Sequence, residues 1–203
     1  MHPQKYLEQV YPYLAPMLTA VGPIELPAKQ VHQLEHAVFR TVIGQMLSSK
    51  AAASIYAKVL VASRKQNCEP WQLSDRRLRT LGLSGRKIKT IRGFVEGLTA
   101  RPNEIHSWHD MEYEALLRSV SSFWGLSEWT ASMLAIFHFR HSDVVPLSDG
   151  TIKRVVNLIE DRLMKKGEKF NSSLASPFGT YLSLSMWASM DKGFWVAQDR
   201  EMT

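Results

Sequence analysis

Two short stretches carry the side chains with the greatest chemical potential. The first is PLSDGTIKR (Pro146 to Arg154), a Pro-containing loop that hands over to a basic helical stretch at Asp149. A carboxylate at such a handover accepts hydrogen bonds from helix amides, and the helix dipole favours its anionic form. The anion can simply cap the helix. It can also stabilise a developing cation or orient an attacking water. Ser148 could take the cap and leave Asp149 to point elsewhere, so both uses stay open on local grounds. The second stretch is FWGLSEWTA (Phe123 to Ala131), a glycine-bearing turn between two apolar helical patterns. Gly125 would let backbone amides at the start of the following helix face outward, with Ser127 and Thr130 adding hydroxyls. That arrangement binds phosphate without reading sequence, or it is a plain helix–helix connection.

The elements that must position these groups read as helices throughout. Leu34, Val38, Val42 and Met46 recur at helical spacing, and Ile55 and Val59 continue the pattern after a break near Ser48–Lys50. Ile88, Ile91, Val95 and Leu98 form another stripe behind the glycine turn LGLSG, and Ile152, Val155, Val156 and Ile159 a later one. No alternation of period two persists, which predicts an all-α fold. Breaks are expected at Pro12–Pro27, Glu69–Pro70, Arg101–Pro102, His141–Pro146 and Gly167–Pro177. None is a long Gly/Ser linker, so residues 1–203 are expected to form one compact unit. Within it, one helical lobe would span about residues 30–140 and hold the hairpin at 121–134, with the terminal helices forming the second.

Composition narrows the function classes. Hydrophobic residues make up 45% and charged residues 22% of the 203 residues, as in ordinary globular proteins. No apolar run approaches the roughly 20 residues of a membrane span, and the N-terminus lacks a secretory pattern, so a cytoplasmic, nucleoid-associated location is expected. The single cysteine, Cys68, excludes an internal disulfide, a four-cysteine cluster or a zinc finger built from this chain alone. A net charge of +6 suits a polyanionic partner. From Arg76 to Arg92 the chain carries Arg76, Arg77, Arg79, Arg86, Lys87, Lys89 and Arg92 with no acid among them.

Four segments together resemble a known family. FWGLSEWTA is similar to the hairpin of the helix-hairpin-helix DNA glycosylases, and VVPLSDGTIKR to their Gly/Pro-Asp loop. FRTVIGQMLSSKAA (Phe39 to Ala52) and LRTLGLSGRKIKTI (Leu78 to Ile91) resemble two further segments of the family, in the same order. Within the superfamily the chain resembles the 3-methyladenine DNA glycosylase II (alkylpurine glycosylase) branch. The resemblance implies a bilobal all-α fold with the active-site cleft between two helical lobes, here without the N-terminal β domain of larger relatives. It also implies a monomeric enzyme that flips damaged bases out of duplex DNA and hydrolyses their glycosidic bond.

The resemblance assigns roles residue by residue. Asp149 becomes the catalytic carboxylate. Trp129, Trp187 and Met133 fall at base-pocket positions, where a cationic alkylpurine gains about 0.5–2 kcal/mol against an aromatic face. Met46 becomes the minor-groove wedge, beside Gln45, which could lie near the opposite base or buttress the loop. The alternative for Met46 is a core place on the Leu34–Val42 stripe. Gly125, Ser127, Thr130, Lys50, Lys87, Lys153 and Arg154 become backbone contacts. Carbonyls of Ser121, Phe123 and Leu126 would hold a monovalent cation, Na+ or K+, and no other cofactor is implied. Trp129 stands where bifunctional relatives carry a nucleophilic lysine, which implies hydrolysis without lyase chemistry. Ser127 replaces the hairpin's second glycine, and Met133, Gly150 and Ala188 stand where alkylpurine enzymes often carry aromatics. These departures keep two alternatives in play, a glycosylase for deaminated or oxidised bases and a non-catalytic DNA-binding module.

Overall fold

The computed structural model describes residues 2–26 and 33–196. Eleven α-helices are found among them: α1 (Pro3–Val10), α2 (Ala15–Val21), α3 (Leu34–Gly44), α4 (Ser49–Lys65), α5 (Asp75–Thr80), α6 (Gly85–Ala100), α7 (Pro102–Ser107), α8 (Tyr113–Ser121), α9 (Glu128–Leu134), α10 (Gly150–Arg162) and α11 (Gly179–Asp191). A single π turn, Ala135–Phe139, extends α9. No strand occurs among the described residues, so the fold is all-α. None of these helices is long and apolar enough to cross a membrane.

Helix starts follow local chemistry. Ser48, Ser74 and Ser84 each accept the amide of the residue three positions on, capping α4, α5 and α6. Proline sits in the first turn of α1, α2 and α7, where a missing N–H costs nothing. This explains why part of Pro12–Pro27 is not the break it was expected to be. Pro16 sits in the first turn of α2 rather than interrupting it, while Pro27 lies outside the described residues.

The chain divides into two helical units. One comprises 33–139 of the described residues. Its interior holds Val38, Phe39, Val42, Ile88, Ile91 and Leu116. Phe94, Trp108 and Phe123 meet there with ring centres 5.5–6.1 Å apart. The buried Trp108 indole donates to Ser119 Oγ at 2.8 Å, and that hydroxyl donates on to Glu104 Oε1 at 2.7 Å. A core tryptophan is thus polar-satisfied, as burial demands.

The other unit comprises 2–26 and 140–196. Leu7, Leu14, Met17, Ile152, Val155, Leu182 and Met186 form its core, so helices from both ends of the chain pack together. Lys192 Nζ donates to the Val21 carbonyl at 2.5 Å, and Tyr11 Oη to the Asn171 carbonyl at 2.7 Å. Burial, with Tyr13 beside it, pushes the Tyr11 hydroxyl far above the usual phenol range.

Candidate active site and nucleic-acid interface

In the first unit the hairpin turn between α8 and α9 is built around Gly125. Its φ of +81° favours glycine, and a Cβ there would come within 2.0 Å of Thr90 Oγ1 on α6. Gln45, at the end of α3, reaches into the same turn. Its Nε2 donates to the Gly125 carbonyl and to Thr130 Oγ1, both at 3.0 Å. The glutamine therefore buttresses the hairpin. Thr130 has no exposed surface, so its hydroxyl lies inside the protein, where a phosphate contact was expected. The amide of Leu126 bonds to the Phe123 carbonyl at 3.1 Å and that of Ser127 to Thr130 Oγ1 at 3.4 Å. The turn thus uses these two amides internally, while the side chain of Ser127 lies at the surface.

Met46 follows directly in the α3–α4 turn. It is 99% exposed and adopts φ 58°, so it belongs to no core stripe. A non-glycine residue held in this region costs on the order of 1–3 kcal/mol, and such strain clusters at functional sites. Lys87 supports the turn from below. Its Nζ donates to the Ile43 carbonyl at 2.7 Å, and burial lowers its pKa from the ordinary lysine value. One of the three ammonium donors of Lys87 is thus spent on the end of α3. Arg92, in the same basic run, bonds Asp75 and the carbonyls of Trp71 and Leu73. Lys50, by contrast, is exposed in the first turn of α4.

Between α3, α4 and α9 lies a cavity of about 280 Å³. Trp129 and Met133 both line it, with the Trp129 ring 3.6 Å from where a Gly44 Cβ would be. A cavity this size accommodates a nucleobase. Its polar lining includes Arg40, Thr41, Ser49, Tyr56 and His138. Burial raises the Tyr56 pKa, an effect the Arg40 guanidinium opposes from 5.9 Å off the ring centre. His138 is buried on the π turn, with Phe139 at 4.8 Å and His109 at 5.7 Å between ring centres.

In the second unit Asp149 is the N-cap of α10. Its Oδ1 accepts from the amides of Thr151 at 2.9 Å and Ile152 at 3.0 Å. The same oxygen accepts the Trp187 indole N–H at 3.0 Å. Capping and positioning are thus combined in one oxygen. Ser148, expected as a substitute cap, does not cap: its Oγ is buried without a hydrogen-bond partner. The loop ahead of Asp149 is pinned by α11, which also carries Trp187. Asp143 Oδ1 accepts the Gly179 amide at 3.0 Å, Thr180 Oγ1 accepts the Val144 amide at 3.1 Å, and Ser183 Oγ donates to the Val144 carbonyl at 2.8 Å. A Cβ on Gly150 would meet open space, which leaves room beside the carboxylate. Lys153 and Arg154 are exposed on the first turn of α10.

No protein-family model matches the chain. Over 190 residues, 91% of this chain and 89% of the relative, it is 24% identical to the alkylbase DNA glycosidase-like protein mag2 of Schizosaccharomyces pombe. Its fold matches the S. pombe 3-methyladenine DNA glycosylase Mag1, solved in complex with abasic DNA, with a TM-score of 0.77. That match covers 92% of this chain and 95% of the other at 22% identity. The chain has the fold of a 3-methyladenine DNA glycosylase. A DNA-3-methyladenine glycosidase from Bacillus halodurans agrees, with a TM-score of 0.69 and 21% identity over 95% of this chain and 91% of that one.

Within this glycosylase fold, several residues escaped sequence reasoning. Arg40, Tyr56 and His138 line the cavity from three separate segments, and no local motif joins them. Arg40 alone carried a signal, four residues before Gly44 and so on the same helix face. The contact between Trp187 and Asp149 spans 38 positions and is equally invisible to local spacing.

Proposed function

We propose that the chain is a monofunctional DNA glycosylase. It would flip an alkylated purine of the 3-methyladenine type out of duplex DNA and hydrolyse the N-glycosidic bond, acting as a monomer in the cytoplasm. The observation that carries this reading is Asp149, whose Oδ1 is held by two backbone amides and an indole N–H. A carboxylate fixed in this way is preorganised to stabilise positive charge developing on a sugar, because no reorganisation is needed as the bond breaks. Support comes from Met46, an exposed apolar side chain suited to filling the gap left by a flipped nucleotide. Trp129 and Met133 line a base-sized cavity, and an indole at position 129 cannot form a Schiff base. Lys50, Lys153, Arg154, Gly125 and Ser127 would hold the phosphates. A Na+ or K+ at the carbonyls of Ser121, Phe123 and Leu126 would draw the hairpin and a phosphate together. The Phe123 carbonyl fits that role, since its bond to the Leu126 amide uses one of two lone pairs.

One observation favours a second reading, a glycosylase for deaminated or oxidised bases. Arg40 lines the cavity, and its guanidinium would repel a cationic alkylpurine while donating to a carbonyl oxygen of a neutral base. Base release from methylated duplex DNA, run beside duplexes carrying hypoxanthine or an oxidised purine, separates the two. Release of 3-methyladenine without strand cleavage supports the first reading. Release from only the other duplexes supports the second, and binding without any release would make the chain a DNA-binding module.

A further inference from the structure

Trp124 stands in the hairpin turn immediately before Gly125 and is 52% exposed. Single apolar residues at a surface are common and need no explanation. This one, however, is held in register and paired with a cation. Lys89 Nζ lies 4.5 Å from the centre of its ring. Thr90, the next residue on α6, is the one pressed against Gly125, so adjacent residues of α6 meet adjacent residues of the turn. The Gln45 amide holds the Gly125 carbonyl from the other side. The turn that carries the ring is therefore held from two sides.

The exposed face of α6 near Lys89 and the helix before it are basic. Arg86 is exposed one helical turn before Lys89, and Arg76, Arg77 and Arg79 are exposed on α5. The exposed acids nearest in sequence are Asp75, which heads α5 and pairs with Arg92 at 2.8 Å, Glu96 on α6 and Glu128 at the start of α9. An exposed indole beside lysine and arginine side chains is the combination that single-strand binding surfaces use, with ring faces for bases and cations for the backbone.

We infer that Trp124 and Lys89 form a stacking site for an unpaired base of single-stranded DNA flanking the duplex. Inside a duplex, bases present only their edges to a protein, and a ring face finds a partner only where a base is unstacked. Lys89 and Arg86 would take the phosphates on either side of that base. The assignment rests on the proposed engagement of DNA by the hairpin, because it places the strand's continuation within reach of Trp124.

The test compares binding of a blunt duplex with the same duplex carrying a 5′ or a 3′ single-stranded extension. The proteins are wild type, Trp124→Ala, Trp124→Phe and Lys89→Gln. Wild type should bind one extended duplex about tenfold more tightly than the blunt one, and Trp124→Ala should erase that gain. Trp124→Phe, which keeps a ring face, should retain most of it. Lys89→Gln should lose part of it and flatten the salt dependence of the extended duplex. Equal wild-type affinity for blunt and extended duplexes would overturn the assignment. So would a Trp124→Ala loss that is the same on both. Failure of the glycosylase reading would appear separately, as no base release from methylated duplex by the wild type, and leaves the binding comparison readable.

Discussion

Asp149 and Met46 both stand at helix ends, one in each unit, and they are held in opposite ways. Asp149 is surrounded by donors: two amides of its own helix and an indole from α11 converge on one oxygen. Met46 is surrounded by water, projected by a left-handed backbone while its neighbours Gln45 and Lys87 are tied down. The comparison shows two solutions to positioning. A charged group is fixed by satisfying it, because an anion's hydrogen bonds are directional and strong. An apolar group has no such bonds to make, so its direction is set by strained backbone and by a buttressed base.

The largest expected effect tests the charge half of that contrast. Asn is as good an N-cap as Asp, so Asp149→Asn should leave the helix intact. Base release should nonetheless fall by about a hundredfold or more, as when a preorganised electrostatic group is removed. Next comes Met46→Gly, which relieves the positive φ while deleting the wedge. Thermal unfolding should show it more stable, by about 1 kcal/mol, while base release from duplex drops by roughly tenfold. A glycine variant that is both less stable and fully active would break the contrast.

Trp187→Phe keeps an aromatic ring and removes the N–H to Asp149 together with part of the indole. It should cost about 1.5–3 kcal/mol of stability, the range for hydrogen bonds to charged groups, and slow base release without weakening duplex affinity. Gln45→Leu should destabilise the protein by about 1–3 kcal/mol through the unsatisfied hairpin groups. Chemical denaturation would read both. The smallest effects belong to the exposed cations. Lys153→Gln and Arg154→Gln should each lower the slope of log affinity against log salt by about 1, uniformly across DNA sequences.

The same two residues show how far the sequence could be read. The all-α architecture was legible because apolar stripes recur at helical spacing, and the hairpin turn and the place of Asp149 at the start of α10 because their sequence signals are local. Ser148 stood open as an alternative cap, and only the three-dimensional arrangement shows that Asp149 caps α10 and takes the Trp187 indole N–H at once. Exposure of Met46 was undecidable from the stripe, since two residues past the end of α3 the helical period no longer applies. Thr130 and Lys87 were assigned to phosphate by position in the family-like segments, which does not reveal that the Thr130 hydroxyl is buried or that Lys87 Nζ bonds the Ile43 carbonyl. The cavity's polar lining was hidden for a simpler reason, that it assembles from residues almost a hundred positions apart.

The most direct test of the account is base release from methylated duplex DNA by the wild type and by Asp149→Asn, with duplex binding measured alongside. The account expects release of 3-methyladenine by the wild type and near-complete loss in the variant, with binding retained within about threefold. Equal release by both proteins would contradict the role given to Asp149, and binding without release by either would contradict the glycosylase reading itself.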